Sequence, residues 1–191
     1  MRYLTQLGIA LAVAGMSSLP MLSSQAVQLA DGTVYFVAPP QLLKASTTQN
    51  ATDVWGATYY FTLNLPANAG EPLQRVVITQ REGTDNLRFN LDETEVFEGD
   101  PASEGAKLTA KATTPNPDTP EVVITFNPPV DPGRTVTIGL RPVQNPDMGG
   151  VYLFGVTAFP SGEKSHGQFL GFGRLHFYDG GDWFSRSRLL P

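Results

Sequence analysis

One stretch restricts the fold more than any other. From Trp55 to Leu65 the chain alternates. Trp55, Ala57, Tyr59, Phe61, Leu63 and Leu65 share one parity; Thr58, Tyr60, Thr62 and Asn64 share the other. A period of two with one apolar side marks a strand buried on one face. The spacing recurs at Val76 and Ile78, at Val122, Ile124 and Phe126, and at Val136, Ile138 and Leu140. Turn-rich stretches separate these runs, and the chain holds 19 Gly and 16 Pro in 191 residues. Short alternating strands punctuated this way predict an all-β fold, an immunoglobulin-like antiparallel β-sandwich of eight to ten strands.

The remaining segments follow the same logic. Thr33–Ala38 is a β-favouring run stopped by Pro39-Pro40. The polar segment Gln41–Asp53 reads as a connection with room for a helical turn. Inside the acidic stretch Asp85–Gly105, Leu87–Leu91 and Glu95–Phe97 read as short strands, and Leu108–Ala112 as another. The runs ending at Phe126 and starting at Val136, joined by Pro and Gly, predict a hairpin. Val151–Phe159 is apolar on both parities, which predicts a central strand covered on both faces, the chain's tail being one candidate cover. Gln168–Tyr178 is the last strand. Its Gly171 and Gly173 point to a bulge or a close backbone approach.

The start of the chain bears on location. Arg2 is the sole charge before residue 27, an apolar run spans Leu7–Met16, and small or polar residues end at Ala26. That order is a secretory signal over residues 1–26, with cleavage after Ala26. The run is too short for a stable membrane anchor, which needs about 20 apolar residues. Residues 27–191 are then one exported domain, in the periplasm, cell envelope, extracellular space or thylakoid lumen, with no transmembrane anchor after cleavage. There is no Cys, so disulfides, thiol nucleophiles and Cys-bound zinc are excluded. The net charge of −5 argues against a nucleic-acid partner, which needs a basic face.

Several segments carry a resemblance: Leu63-Asn-Leu-Pro-Ala-Asn-Ala-Gly-Glu-Pro-Leu73, Phe126-Asn-Pro-Pro-Val130, Pro132-Gly-Arg-Thr-Val-Thr-Ile138, Arg141-Pro-Val-Gln-Asn-Pro146, Gly149–Pro160 and Gly171-Phe-Gly-Arg-Leu-His-Phe-Tyr178. Together they resemble the cyanobacterial exported proteins grouped as domain of unknown function 2808, over roughly residues 32–178, leaving 179–191 as a tail. The resemblance implies a signal peptide, a β-rich domain and an envelope or extracytoplasmic setting. It implies no reaction, ligand or catalytic residue.

Candidate sites are few. His166 lies in a polar loop with Ser161 and Ser165, and His176 in the last strand. No Gly-x-Ser-x-Gly elbow accompanies them, so no catalytic residue is assigned and the reading leans away from an enzyme; a hydrolase of envelope glycans or peptides is the competing class. The acids Asp92, Glu93, Glu95, Glu98 and Asp100 are dense enough to suggest calcium, which takes 6–8 oxygens. They lack the ordered spacing of an EF-hand loop, and apolar Val96 and Phe97 interrupt them. Strand alternation also sends neighbouring side chains to opposite faces. A solvated acidic sheet edge is the plainer reading. No cofactor is expected. Among aromatics, Trp55, Tyr59 and Phe61 read as core, while Tyr60, Tyr178 and Trp183 are binding candidates. Trp183 and Phe184 could equally dock the tail on the sandwich. The leading expectation is a non-enzymatic binding or structural module whose partner is a protein or polysaccharide of the cell envelope, ranked above calcium.

Overall fold

The computed structural model describes residues 27–28, 31–116 and 119–179. Twelve strands follow one another: β1 (Val27–Gln28), β2 (Val34–Tyr35), β3 (Gln41–Thr47), β4 (Tyr59–Asn64), β5 (Leu73–Glu82), β6 (Glu95–Asp100), β7 (Ser103–Lys107), β8 (Ala110–Thr113), β9 (Glu121–Val130), β10 (Thr135–Leu140), β11 (Gly150–Pro160) and β12 (Gln168–Phe177). A 3-10 turn, Leu91–Glu93, precedes β6. The expected signal over 1–26, and nearly all of the tail, lie outside the described residues.

Two five-stranded sheets face each other, ordered β3-β4-β10-β6-β7 and β12-β11-β5-β9-β8, with β1 and β2 as a small ribbon. All strand pairings are antiparallel. Alternation places the core between the sheets. Tyr59, Phe61, Leu63, Val76, Ile78, Ile124, Phe126, Ile138, Tyr152, Phe154 and Val156 are buried there. In the lettering of immunoglobulin constant domains, ABED packs on CFG. Here β3-β4-β10-β6 takes the ABED order and β5-β11-β12 the CFG order, with β7, β8 and β9 inserted between the D and E positions. Strand order thus makes this an immunoglobulin-like sandwich.

Two local features reinforce that assignment. Tyr152, near the start of β11, donates from its hydroxyl back to the Met148 carbonyl at 3.1 Å and to Asp85 Oδ2 at 3.2 Å. This is the tyrosine corner of such sandwiches. Where antibody domains join the second and sixth strands by a disulfide, Phe61 of β4 and Phe154 of β11 meet edge to face, ring centres 5.6 Å apart. Packed rings span the layers in a chain without Cys.

Several sequence expectations are corrected. Gln41–Thr47 is an edge strand, β3. It reads as a connection because none of its side chains is fully buried, so no clear alternation develops. Leu87–Leu91 is no strand; Phe89 makes an isolated bridge to Pro142. The runs around Phe126 and Val136 are not a hairpin: β9 and β10 belong to opposite sheets, so their Pro/Gly connection crosses the sandwich. β11 is interior to its sheet as expected. Its outer side, however, is only half covered among the described residues, with Val151 exposed.

The glycines of β12 act as expected. At Gly171, φ is +116° and the β11–β12 register slips between Val156 and Thr157, a bulge. Gly173 faces inward. A Cβ there would sit 2.8 Å from both Ala45 Cβ and the Phe61 ring, so its bareness lets β12 close against β3 and seal that side of the sandwich.

Candidate functional site

Three connections converge at one end of the sandwich: 48–58 after β3, 83–94 after β5, and 141–149 after β10. The end of β12 joins them. Asn145, buried, ties two connections together. Its Oδ1 accepts from the Tyr59 hydroxyl at 2.9 Å, and its Nδ2 donates to the Gln49 and Ala51 carbonyls at 3.1 and 2.8 Å. Its backbone N–H donates to the Val54 carbonyl, and Asp53 N–H to that of Pro146. Asp85 ties in the third connection: its Oδ2 accepts the N–H groups of Asp147 and Met148 as well as the Tyr152 hydroxyl. The Thr52 N–H donates to the Tyr178 carbonyl and the Tyr178 N–H to that of Asn50, while Asp179 Oδ1 accepts from Gly149 N–H at 2.7 Å. Asp53 holds a left-handed φ of 58°, a conformation that costs about 1–3 kcal/mol and persists where neighbours enforce it.

This fixed frame presents apolar surface to solvent. Trp55 is 67% exposed, Tyr178 60% and Met148 54%. Acids surround them: Asp53, Asp85, Asp147 and Asp179. Desolvation, then the charges of Asp53 and Asp85 and a hydrogen bond with Asp53, hold the Asp147 carboxyl above the usual range. A cleft of about 210 Å³ lies beside Asp85, Arg88, Gln144 and Asp147. Among the described residues no group of three or more His, Asp or Glu is gathered for a metal ion. Chemically, this end offers flat apolar rings beside hydrogen-bond acceptors.

The acids singled out from sequence go to separate partners. Glu93 pairs with Arg141 at 2.9 Å. Glu95 accepts from the Tyr60 hydroxyl at 3.2 Å. Glu98 pairs with Arg134. Asp100 Oδ1 accepts the N–H groups of Ala102 and Ser103 in the β6–β7 turn. Asp92 is exposed in the 3-10 turn. Tyr60 is half-buried on the outer side of its sheet, edge-on to Phe97, and desolvation and Glu95 raise its pKa. Tyr178 reaches the loop end; Trp183 lies outside the described residues. His166 stacks on Tyr35 at 4.6 Å, and His176 stands exposed on β12.

Trp55 is the main correction among side chains. It carries the apolar parity but is not core, because the strand begins only at Tyr59. Gly56, at φ +78°, turns the chain first. A glycine directly after the tryptophan was the available signal. Phe169 and Phe172 also escaped notice. Both face outward on β12, more than half exposed, ring centres 5.1 Å apart. Their exposure depends on how the bulge at Gly171 turns the side chains before and after it, which the glycine alone does not specify.

Strand order, tyrosine corner and clustered end loops define an immunoglobulin-like sandwich domain. The chain belongs to the family described as "Protein of unknown function (DUF2808)", which matches residues 33–177. No curated protein matches the sequence. Among solved structures, a C-terminal fragment of the major pilin GBS80 of Streptococcus agalactiae is similar at 12% identity, covering 74% of this chain and 56% of that one, TM-score 0.49. The collagen-binding domain of a Staphylococcus aureus adhesin is similar at 8% identity over 72% of this chain and 98% of that one, TM-score 0.39. The C-terminal domain of the Streptococcus pyogenes antigen I/II-family protein AspA gives 13% identity, 70% and 46% coverage, and a TM-score of 0.40. The immunoglobulin-like order is read from the chain's own strand pairing and does not depend on these likenesses.

Proposed function

We propose that this protein is an exported, non-enzymatic interaction module that holds a protein or polysaccharide of the cell envelope at its loop end. One observation carries the reading. Trp55, a large aromatic, stands in solvent on a connection pinned by the buried Asn145. Exposed apolar side chains clustered on a surface mark interaction sites, and a loop ordered in advance loses less entropy on binding. Tyr178 and Met148 widen the contact, and the aspartates supply acceptors at its rim. The N-terminal signal pattern supports export.

The test uses the exported protein and an envelope preparation from its host, separated by sedimentation. Trp55→Ala should leave the melting temperature unchanged and abolish co-sedimentation. Equal sedimentation of Trp55→Ala and wild type would refute the loop end as the binding site. Hydrolysis of envelope glycans or peptides, abolished by Ser165→Ala or His166→Ala, would replace the reading by an enzymatic one.

A further inference from the structure

The outer face of the β12-β11-β5 side of the second sheet is a separate surface. Along β12 the exposed residues are His176, Arg174 and Phe172, then Phe169 beyond the bulge. Successive outward side chains on a strand stand about 6.6 Å apart, so His176, Arg174 and Phe172 form a row, and the bulge sets Phe169 beside Phe172 at its end. Register places Leu153 of β11 beside Arg174 and Gly155 beside Phe172. Gly155 is the floor. A Cβ there would lie 3.3 Å from Arg81 Cγ and Nε and from the Phe169 ring, so the missing side chain lets Arg81 and Phe169 draw together over the sheet. Farther along, the Arg75 guanidinium lies 4.1 Å over the Phe159 ring, and Lys111 of β8 stands opposite Thr125, itself opposite Arg75.

The charge of this face opposes that of the chain. Arg75, Arg81, Lys111 and Arg174 stand against Glu82 and Glu121, whereas the whole protein carries −5. Among the described residues none of those four cations makes an ion pair. Glu121 accepts from the Thr79 hydroxyl. The surface therefore combines two exposed rings with guanidinium groups that, among the described residues, have no carboxylate partner.

We infer that this face binds an extended anionic polysaccharide, the Phe169–Phe172 pair contacting sugar C–H faces while Arg81 and Arg174 pair with its carboxylate groups. The row is extended and open, which suits a polymer more than a compact ligand. Guanidinium groups favour carboxylates through paired, charge-assisted hydrogen bonds. The nearest competitors carry no excess of acid to match this face. The sequence after Asp179 holds Arg186 and Arg188 against Asp182, a composition that does not favour a cationic face. The outer face of the opposite sheet, in a second copy, sets Lys44 and Lys107 against Glu95 and Glu104 and so offers no net negative charge. This surface is distinct from the loop end, so Trp55 takes no part in it.

The experiment titrates the exported protein with alginate, a polyuronate, and with neutral dextran, from about 0.05 M to about 0.5 M salt, where screening lengths fall severalfold. Alginate binding is expected, weakening with salt, with none to dextran. Arg81→Gln combined with Arg174→Gln should weaken it about tenfold or more, as loss of two charge-assisted contacts would. Phe169→Ala with Phe172→Ala should weaken it too, and Trp55→Ala should leave it unchanged. Each variant is checked for an unaltered melting temperature. Undiminished alginate binding in the double arginine variant, equal binding to dextran, or absence of alginate binding would overturn the inference. So would dimerisation or binding to phosphatidylglycerol vesicles through these residues in place of alginate. Trp55→Ala sedimentation reports on the loop end alone, so the two readings fail separately.

Discussion

Asn145 shows how one side chain can set a surface. It is buried and serves Tyr59, Gln49 and Ala51 at once. Asn145→Ala would strand a buried hydroxyl and two carbonyls, a loss of about 2–4 kcal/mol at roughly 1 kcal/mol or more per unsatisfied group. Urea unfolding would measure it. Tyr152→Phe removes the hydroxyl bonds to Met148 and Asp85 and should cost about 1–2 kcal/mol in the same assay. Asp147 adds a pH signature. Its carboxyl binds a proton more tightly in the folded state than in the unfolded chain. The resulting stabilisation is complete below the unfolded value of 3.8 and is lost as pH rises through the higher folded value. Asp147→Asn should therefore melt slightly higher than wild type at neutral pH. The difference should close as pH falls toward 3.8 and below. A gap that widened on acidification would contradict the assignment.

At the scale of elements, the strands that could be read from sequence are those buried on one side. β4, β5, β9 and β10 show their alternation because the core selects every second residue. β3 and the 83–94 connection do not, because water or hydrogen bonds take the place of apolar packing there. The crossing of β9 to β10 was hidden for another reason: a Pro/Gly connection marks a reversal of direction but not the sheet to which the chain returns. Gly171 and Gly173 together pointed to a bulge or a close approach; Gly173 is the close approach, and Gly173→Ala should test it. With both Ala45 and the Phe61 ring 2.8 Å from the added methyl, overpacking should cost about 1–3 kcal/mol. Gly150→Ala, where a Cβ meets nothing within 4 Å but φ is +151°, is a strained control without crowding. The loop end was legible only at Tyr178. Trp55 and Asn145 belong to it through contacts between residues far apart in sequence, which periodicity does not record.

As a whole molecule, the sandwich separates its tasks. Rings between the sheets hold the fold, the β3–β12 seam closes one side, and three clamped connections hold exposed Trp55 and Met148 at one end beside Tyr178. The proposed export predicts Val27 as the mature N-terminus, which mass spectrometry of the host's protein checks. An abundant form retaining Met1–Gly15 would contradict export by cleavage. The most direct measurement is co-sedimentation of the purified protein with its own envelope preparation, wild type beside Trp55→Ala at matched melting temperature. The account predicts that wild type sediments and Trp55→Ala stays in solution. Sedimentation of both to the same extent would contradict it.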